Sequence, residues 1–147
     1  MTLSVQGLKN PSQRRAILAF CRKAGRAIPA LKGEYAFVFM SDAAIRGYNR
    51  RFLKQDRATD VIAFPSDEGG DILISLETAK RQARRRGYKA VQELALYALH
   101  GMLHLAGYDD RGKTARARMF AAQKRIFRRV APRLAPPDHL PTSPRPI

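Results

Sequence analysis

Two histidines four residues apart, His100 and His104, are by type and spacing the residues of this chain best suited to chemistry. They fall in AVQELALYALHGMLHLA, residues 90–106, a segment apolar nearly all round that reads as a helix buried in a domain centre. Positions i and i+4 share one helix face on adjacent turns, so two imidazoles there can converge on one ion at ~2.0–2.1 Å. Glu93 shares the same narrow polar stripe, but it lies roughly 10 Å further along the helix, too far to bind that ion. A third ligand has to come from beyond the helix. Gly107 stands where a helix-ending glycine turns the chain back, and Asp110 follows it. His100, His104, Gly107 and Asp110 repeat the offsets of the extended zinc motif H-E-x-x-H-x-x-G-x-x-H. Three ligands with one position left open is the arrangement of catalytic rather than structural zinc.

Two departures from that motif narrow the chemistry. Position 101 is Gly where the motif has Glu, so the general base that activates water in such proteases is absent and a peptidase loses its main support. The third ligand is Asp110 where the motif has His, an acceptable oxygen donor of shorter reach, so its loop must approach the ion more closely.

The elements that must position these residues are legible from periodicity and punctuation. Residues 2–6 read as an opening strand, and Pro11 and Ser12 introduce a helix carrying Ala16, Ile17, Phe20 and Cys21 and loosened at Gly25. EYAFVFM, residues 34–40, reads as a strand, with Ser41 and Asp42 capping a helix to about Leu53. DVIAFP and GDILIS, residues 60–65 and 70–75, form a hairpin around SDEG, and helices follow over roughly 76–87, 90–106 and 112–130. The expectation is an α+β fold: one domain over residues 1–131, with a small mixed sheet of about four strands, about five flanking helices and a buried central metal-binding helix. Six of the nine prolines lie between Pro132 and Pro146, so residues 132–147 are expected to be a disordered tail with His139 exposed in it.

With 147 residues the chain is expected to be one domain, and 45% hydrophobic residues supply a core that excludes a disordered basic chain. The lone Cys21 reads as a small buried hydrophobe. No apolar run approaches the ~20 residues that span a bilayer, and the first ten residues lack a signal peptide's apolar stretch, so a cytoplasmic protein is expected. The net charge of +16, from 28 Lys and Arg against 12 Asp and Glu, favours a polyanionic partner, nucleic acid before a membrane surface. Nine basic residues and no acid fall between Arg111 and Arg133, and KRQARRRGYK at 80–89 adds a second run. Each alone is a solvated helix face; flanking the histidine helix, the two are expected to bring nucleic-acid backbone and metal to one cleft.

HGMLHLAGYDD at 100–110 resembles the signature HGxLHLxGYDH of the YbeY family, metal-dependent endoribonucleases implicated in ribosomal RNA maturation and ribosome quality control. TDVIAFP at 59–65 is similar to that family's TDVLSFP, GDILIS at 70–75 to its GDIxIS, and Asn49, Phe52 and Asp56 fit LNxxYRxKDxP. Met119 and its helix also stand where the family has them, so the resemblance runs over roughly residues 40–127. It implies a small sheet flanked by helices and one zinc ion in a cleft beside a basic surface. His100 and His104 are then ligands, Asp110 takes the place of a third histidine, and Leu53 takes the place of a family arginine. Arg50, Arg51 and Lys54 are expected to supply RNA-binding charge around Leu53. The implied function is a metal-dependent endoribonuclease for single-stranded RNA, acting on ribosomal RNA and the small ribosomal subunit in the cytoplasm. The alternative is a non-catalytic ribosome-assembly factor with a structural or lost metal site, which Leu53 and Asp110 favour; a metal-dependent hydrolase of another substrate is a weaker third. Asp71 and Thr59 read as hydrogen-bonding the hairpin turns, and Tyr97 and Tyr108 as packing.

Overall fold

Capping side chains start three of the helices. Asn10 Oδ1 accepts from the Gln13 amide ahead of a proline in the first turn, Ser41 Oγ from the Ala44 amide and Ser75 Oγ from the Thr78 amide. The computed structural model describes residues 1–142. Its elements are β1 (Thr2–Gln6), α1 (Pro11–Arg26), β2 (Glu34–Met40), α2 (Asp42–Leu53), β3 (Val61–Ser66), β4 (Gly69–Ser75), α3 (Leu76–Arg86), α4 (Ala90–Leu105) and α5 (Lys113–Val130). The strands form one mixed sheet in the order β1-β2-β4-β3, with β1 and β4 parallel to β2 and β3 antiparallel to β4. The α+β expectation holds.

Alternation along the strands divides the core in two. Phe37, Phe39, Val61, Ile72 and Ile74 face the large cluster built with α1, α4 and α5. Ile62 and Leu73 point the other way, into a small cluster with Ile45 and Leu53 of α2, flanked by Val38, Met40 and Phe64. Helix α4 is the centre of the large cluster, and every residue from Gln92 to Leu103 is buried. Each fully buried leucine there, such as Leu96 or Leu99, contributes about 1.5–3 kcal/mol relative to exposure. Gly101 sets the approach of α4 to the sheet, because a Cβ at this position would lie 2.6 Å from Ile72 Cγ2. Cys21 is fully buried, and burial pushes its thiol up to about 12, which leaves it an inert hydrophobe. No helix among the described residues is long and apolar enough to cross a membrane.

The expectation of a disordered tail is corrected for residues 132–142. They form neither helix nor strand, as their prolines require, yet they are held along the body. Gln92 Nε2 donates to Ala135 O at 2.8 Å, the Asp138 amide to the Tyr88 hydroxyl at 3.0 Å and Gln123 Nε2 to His139 O at 3.0 Å. Thr59 Oγ1 donates to Thr142 O at 2.9 Å and the Thr142 amide to Asp60 Oδ2 at 2.9 Å, while Leu134 and Leu140 pack on the core. Proline removes ladder hydrogen bonding, but polar groups of the body accept or supply the bonds that the segment cannot make within itself. Thr59 therefore ties down this segment rather than the hairpin turn. The part of the tail expectation that falls on 143–147 lies outside the described residues.

Candidate metal centre

The last turn of α4 and the loop after it carry the site. The helix ends in a Schellman turn: the Gly107 amide donates to His104 O and the Tyr108 amide to Leu103 O, both at 3.0 Å, with Gly107 at φ +103°. A side chain at Gly107 would be strained there, so glycine allows the reversal that carries Asp110 back towards the helix. His100 is fully buried, Asp110 is buried, and the His104 side chain keeps 21% of its surface exposed.

His100 Nε2 and His104 Nε2 lie 3.1 Å apart, and Asp110 Oδ2 is 3.9 Å from His104 Nε2. One ligand atom from each of the three falls within 4.8 Å of the others. Two nitrogens bound tetrahedrally at ~2.0–2.1 Å would stand about 3.3 Å apart, so the histidine pair already has the spacing of two ligands of one ion. Burial, then the neighbouring His104, push the His100 imidazole down to about 3, while a hydrogen bond with Gln123 works in the opposite sense. His100 is thus neutral at ordinary pH, the form that donates a lone pair to a metal. Two imidazoles and a carboxylate suit zinc and other borderline divalent ions. Position 101 faces Ile72 of β4, so the helix has no room there for the glutamate of the protease motif.

The structure brings together His100, His104 and Asp110 and leaves Arg50, Arg51 and Lys54 elsewhere. Those three are exposed on or just after α2, which packs on the opposite face of the sheet from α4. Leu53 is a core residue of the small cluster; its burial follows the Ile45, Asn49 and Leu53 stripe at i, i+4 and i+8. Asn49 Nδ2 donates to Arg57 O at 2.9 Å and closes the loop after α2, and Lys54 caps that helix at φ +56°.

The expectation that both basic runs meet the metal is also corrected. The 80–89 run lies on α3 and its exit, beside the start of α4, about 21 Å of helix rise from His104. Within the other run, on α5, Arg116 carries a charge that acts on His100. Sequence reasoning missed a second buried polar pair: His139 Nε2 donates to Glu93 Oε1 at 2.8 Å. The only signal for it was Glu93 itself, a carboxylate on a buried helix that needs a partner. Tyr97 is buried beside Glu93 and Tyr108 packs against the core, as expected of both.

Comparison with known proteins adds the following. The family model described as endoribonuclease YbeY matches residues 8–131. An endoribonuclease YbeY of Bacteroides fragilis is 34% identical over 132 residues, covering 86% of this chain and 95% of the relative. That of Solibacter usitatus is 42% identical over 108 residues, 70% of this chain and 73% of the relative. The solution structure of TM1509 from Thermotoga maritima superposes with a TM-score of 0.67 at 26% identity, over 90% of this chain and 91% of that one.

Proposed function

The chain belongs to the endoribonuclease YbeY family, and from that premise we propose that it is a zinc-dependent endoribonuclease cutting single-stranded RNA, with ribosomal RNA as its target, the small ribosomal subunit as its partner and the cytoplasm as its place of action. The observation that carries this reading is the convergence of ligand atoms from His100, His104 and Asp110 within 4.8 Å. These three residues would hold the ion. Bound there, zinc supplies positive charge for the phosphate oxygens of the transition state and makes water a stronger nucleophile.

The chain's own residues do the remaining work. His100, locked in the core and neutral, fixes one ligand direction; His104, partly exposed, marks the side from which a phosphodiester approaches. Arg116 adds positive charge that acts on His100. Arg50, Arg51 and Lys54 bind phosphates along the RNA, giving salt-sensitive affinity without sequence readout. The carboxylate of the protease motif has no counterpart at position 101, so the reading does not extend to peptides. Leu53 gives no support to a non-catalytic assembly factor, because core packing accounts for it.

The test is metal analysis of protein purified without chelator, followed by RNA cleavage with the wild type and His104→Ala. Stoichiometric zinc and cleavage lost in the variant are expected. Equal cleavage by both proteins would identify a contaminating nuclease and overturn the reading.

A further inference from the structure

Among the described residues, three large apolar side chains are strongly exposed, and two of them, Tyr48 at 43% and Phe52 at 52%, stand one turn apart on α2. Their rings are stacked at 6.1 Å between centroids and 18° between planes. Phe52 also meets Phe64 of the edge strand β3 edge-on at 5.7 Å and 73°. The Arg51 guanidinium lies 5.3 Å from the Phe52 ring centroid. The surface around this row is strongly basic: residues 43–59 contain five Lys or Arg and a single acid, Asp56, already bound to Arg46 at 2.8 Å. The small cluster beneath is filled by Ile45, Leu53, Ile62 and Leu73, so the exposed faces of Tyr48 and Phe52 are not needed to complete it.

We propose that the Tyr48, Phe52 and Phe64 row is a base-stacking platform for single-stranded RNA, with Arg50, Arg51 and Lys54 engaging the phosphates around it. Aromatic faces bordered by cations are the means by which proteins hold unpaired bases, since every base offers a π-face and each linkage an anion. A duplex hides those faces. A second copy of this chain would bring the same positive charge to the surface, so charge complementarity selects a polyanion. A Cβ at Gly70 would lie 2.7 Å from Phe64 O and 2.9 Å from Leu105 Cδ1, so the backbone of the strand bearing the third ring runs close to the end of α4, while the ring itself packs on the α2 side of the sheet. The proposal rests on the endoribonuclease reading and names how that activity selects unpaired RNA.

Its test is equilibrium binding to the full chain carrying His104→Ala, which keeps the probe intact, using a labelled 12-nucleotide RNA and the corresponding 12-base-pair RNA duplex over a salt series. The single strand should bind more tightly than the duplex. Phe52→Ala and Tyr48→Ala should each weaken single-strand binding about tenfold without changing the slope of log Kd against log salt, and Phe52→Trp should retain it. Arg51→Ala should instead flatten that slope by roughly 0.7, the contribution of one phosphate contact. Phe52→Leu separates stacking from packing, since it keeps an apolar side chain and should still lose single-strand affinity. Unchanged single-strand binding in Phe52→Ala and Tyr48→Ala, full affinity in Phe52→Leu, or sedimentation as a dimer that Phe52→Ala dissociates would each overturn the platform. Cleavage assayed on wild-type His104 protein reports separately: active enzyme with unaffected Phe52→Ala binding sinks only the platform, and inactive enzyme with lost binding sinks only the nuclease.

Discussion

His139 Nε2 lies 2.8 Å from Glu93 Oε1, so a carboxylate with none of its side-chain surface exposed, in the first turn of α4, takes its partner from the segment after α5. Removing that partner strands the carboxylate in the core. His139→Ala is expected to lower stability by about 3–5 kcal/mol in urea denaturation, and adding Glu93→Gln should recover part of the loss. Equal stability of His139→Ala and wild type would show that water reaches Glu93.

The burial of His100 makes stability depend on pH. The folded imidazole sits at about 3, below its ordinary 6.5, so the unfolded chain takes up a proton before the folded one does. Stability is therefore fully present above pH ~6.5 and falls as pH drops towards 3, by roughly 1.4 kcal/mol per pH unit in that window. Urea melts of metal-free protein should show this slope in excess of that of His100→Asn. Parallel curves for the two proteins would contradict it.

At the ligand positions, Asp110→Ala is expected to weaken zinc binding by about a hundredfold or more, since even outer-shell changes at metal sites cost 10–100-fold. Asp110→His should restore most of the affinity, because imidazole reaches further than an aspartate carboxylate. A chelator competition in which Asp110→Ala matches wild type would leave the site to the two histidines alone.

Gly101→Ala tests the contact between helix and sheet. The added methyl would stand 2.6 Å from Ile72 Cγ2, and overpacking of that kind costs about 1–3 kcal/mol. Thermal melts should register the loss, and Ile72→Val should relieve some of it. An unchanged melting temperature would mean that α4 can slide without penalty.

Local punctuation made most of the fold legible. Pro11, Ser41 and Ser75 mark helix starts, and Gly87 at φ +78° ends α3 where the sequence places a break. The two histidines were legible because helical spacing alone aligns them. Leu53 could have been recognised as buried from the Ile45, Asn49 and Leu53 stripe, which the family pattern overshadowed. The path of residues 132–142 was not legible: its bonds join residues 46 and 82–83 positions apart, and no local period records such pairings. Phe52 was legible only as a match to the family pattern and not as a pair with Tyr48 at i and i+4, because an exposed face can be told from a packed one only after the neighbours are in place.

The segment that satisfies Glu93 and closes over Thr59 and Asp60 follows, in chain order, every helix and strand among the described residues. During synthesis the central helix can therefore assemble on its sheet while its buried carboxylate still waits for His139. Contacts over such sequence separations carry a loop-closure cost, and topologies rich in them fold more slowly. Until His139 arrives, the chain already holds all three candidate ligand residues, while Glu93 still lacks its hydrogen-bond partner.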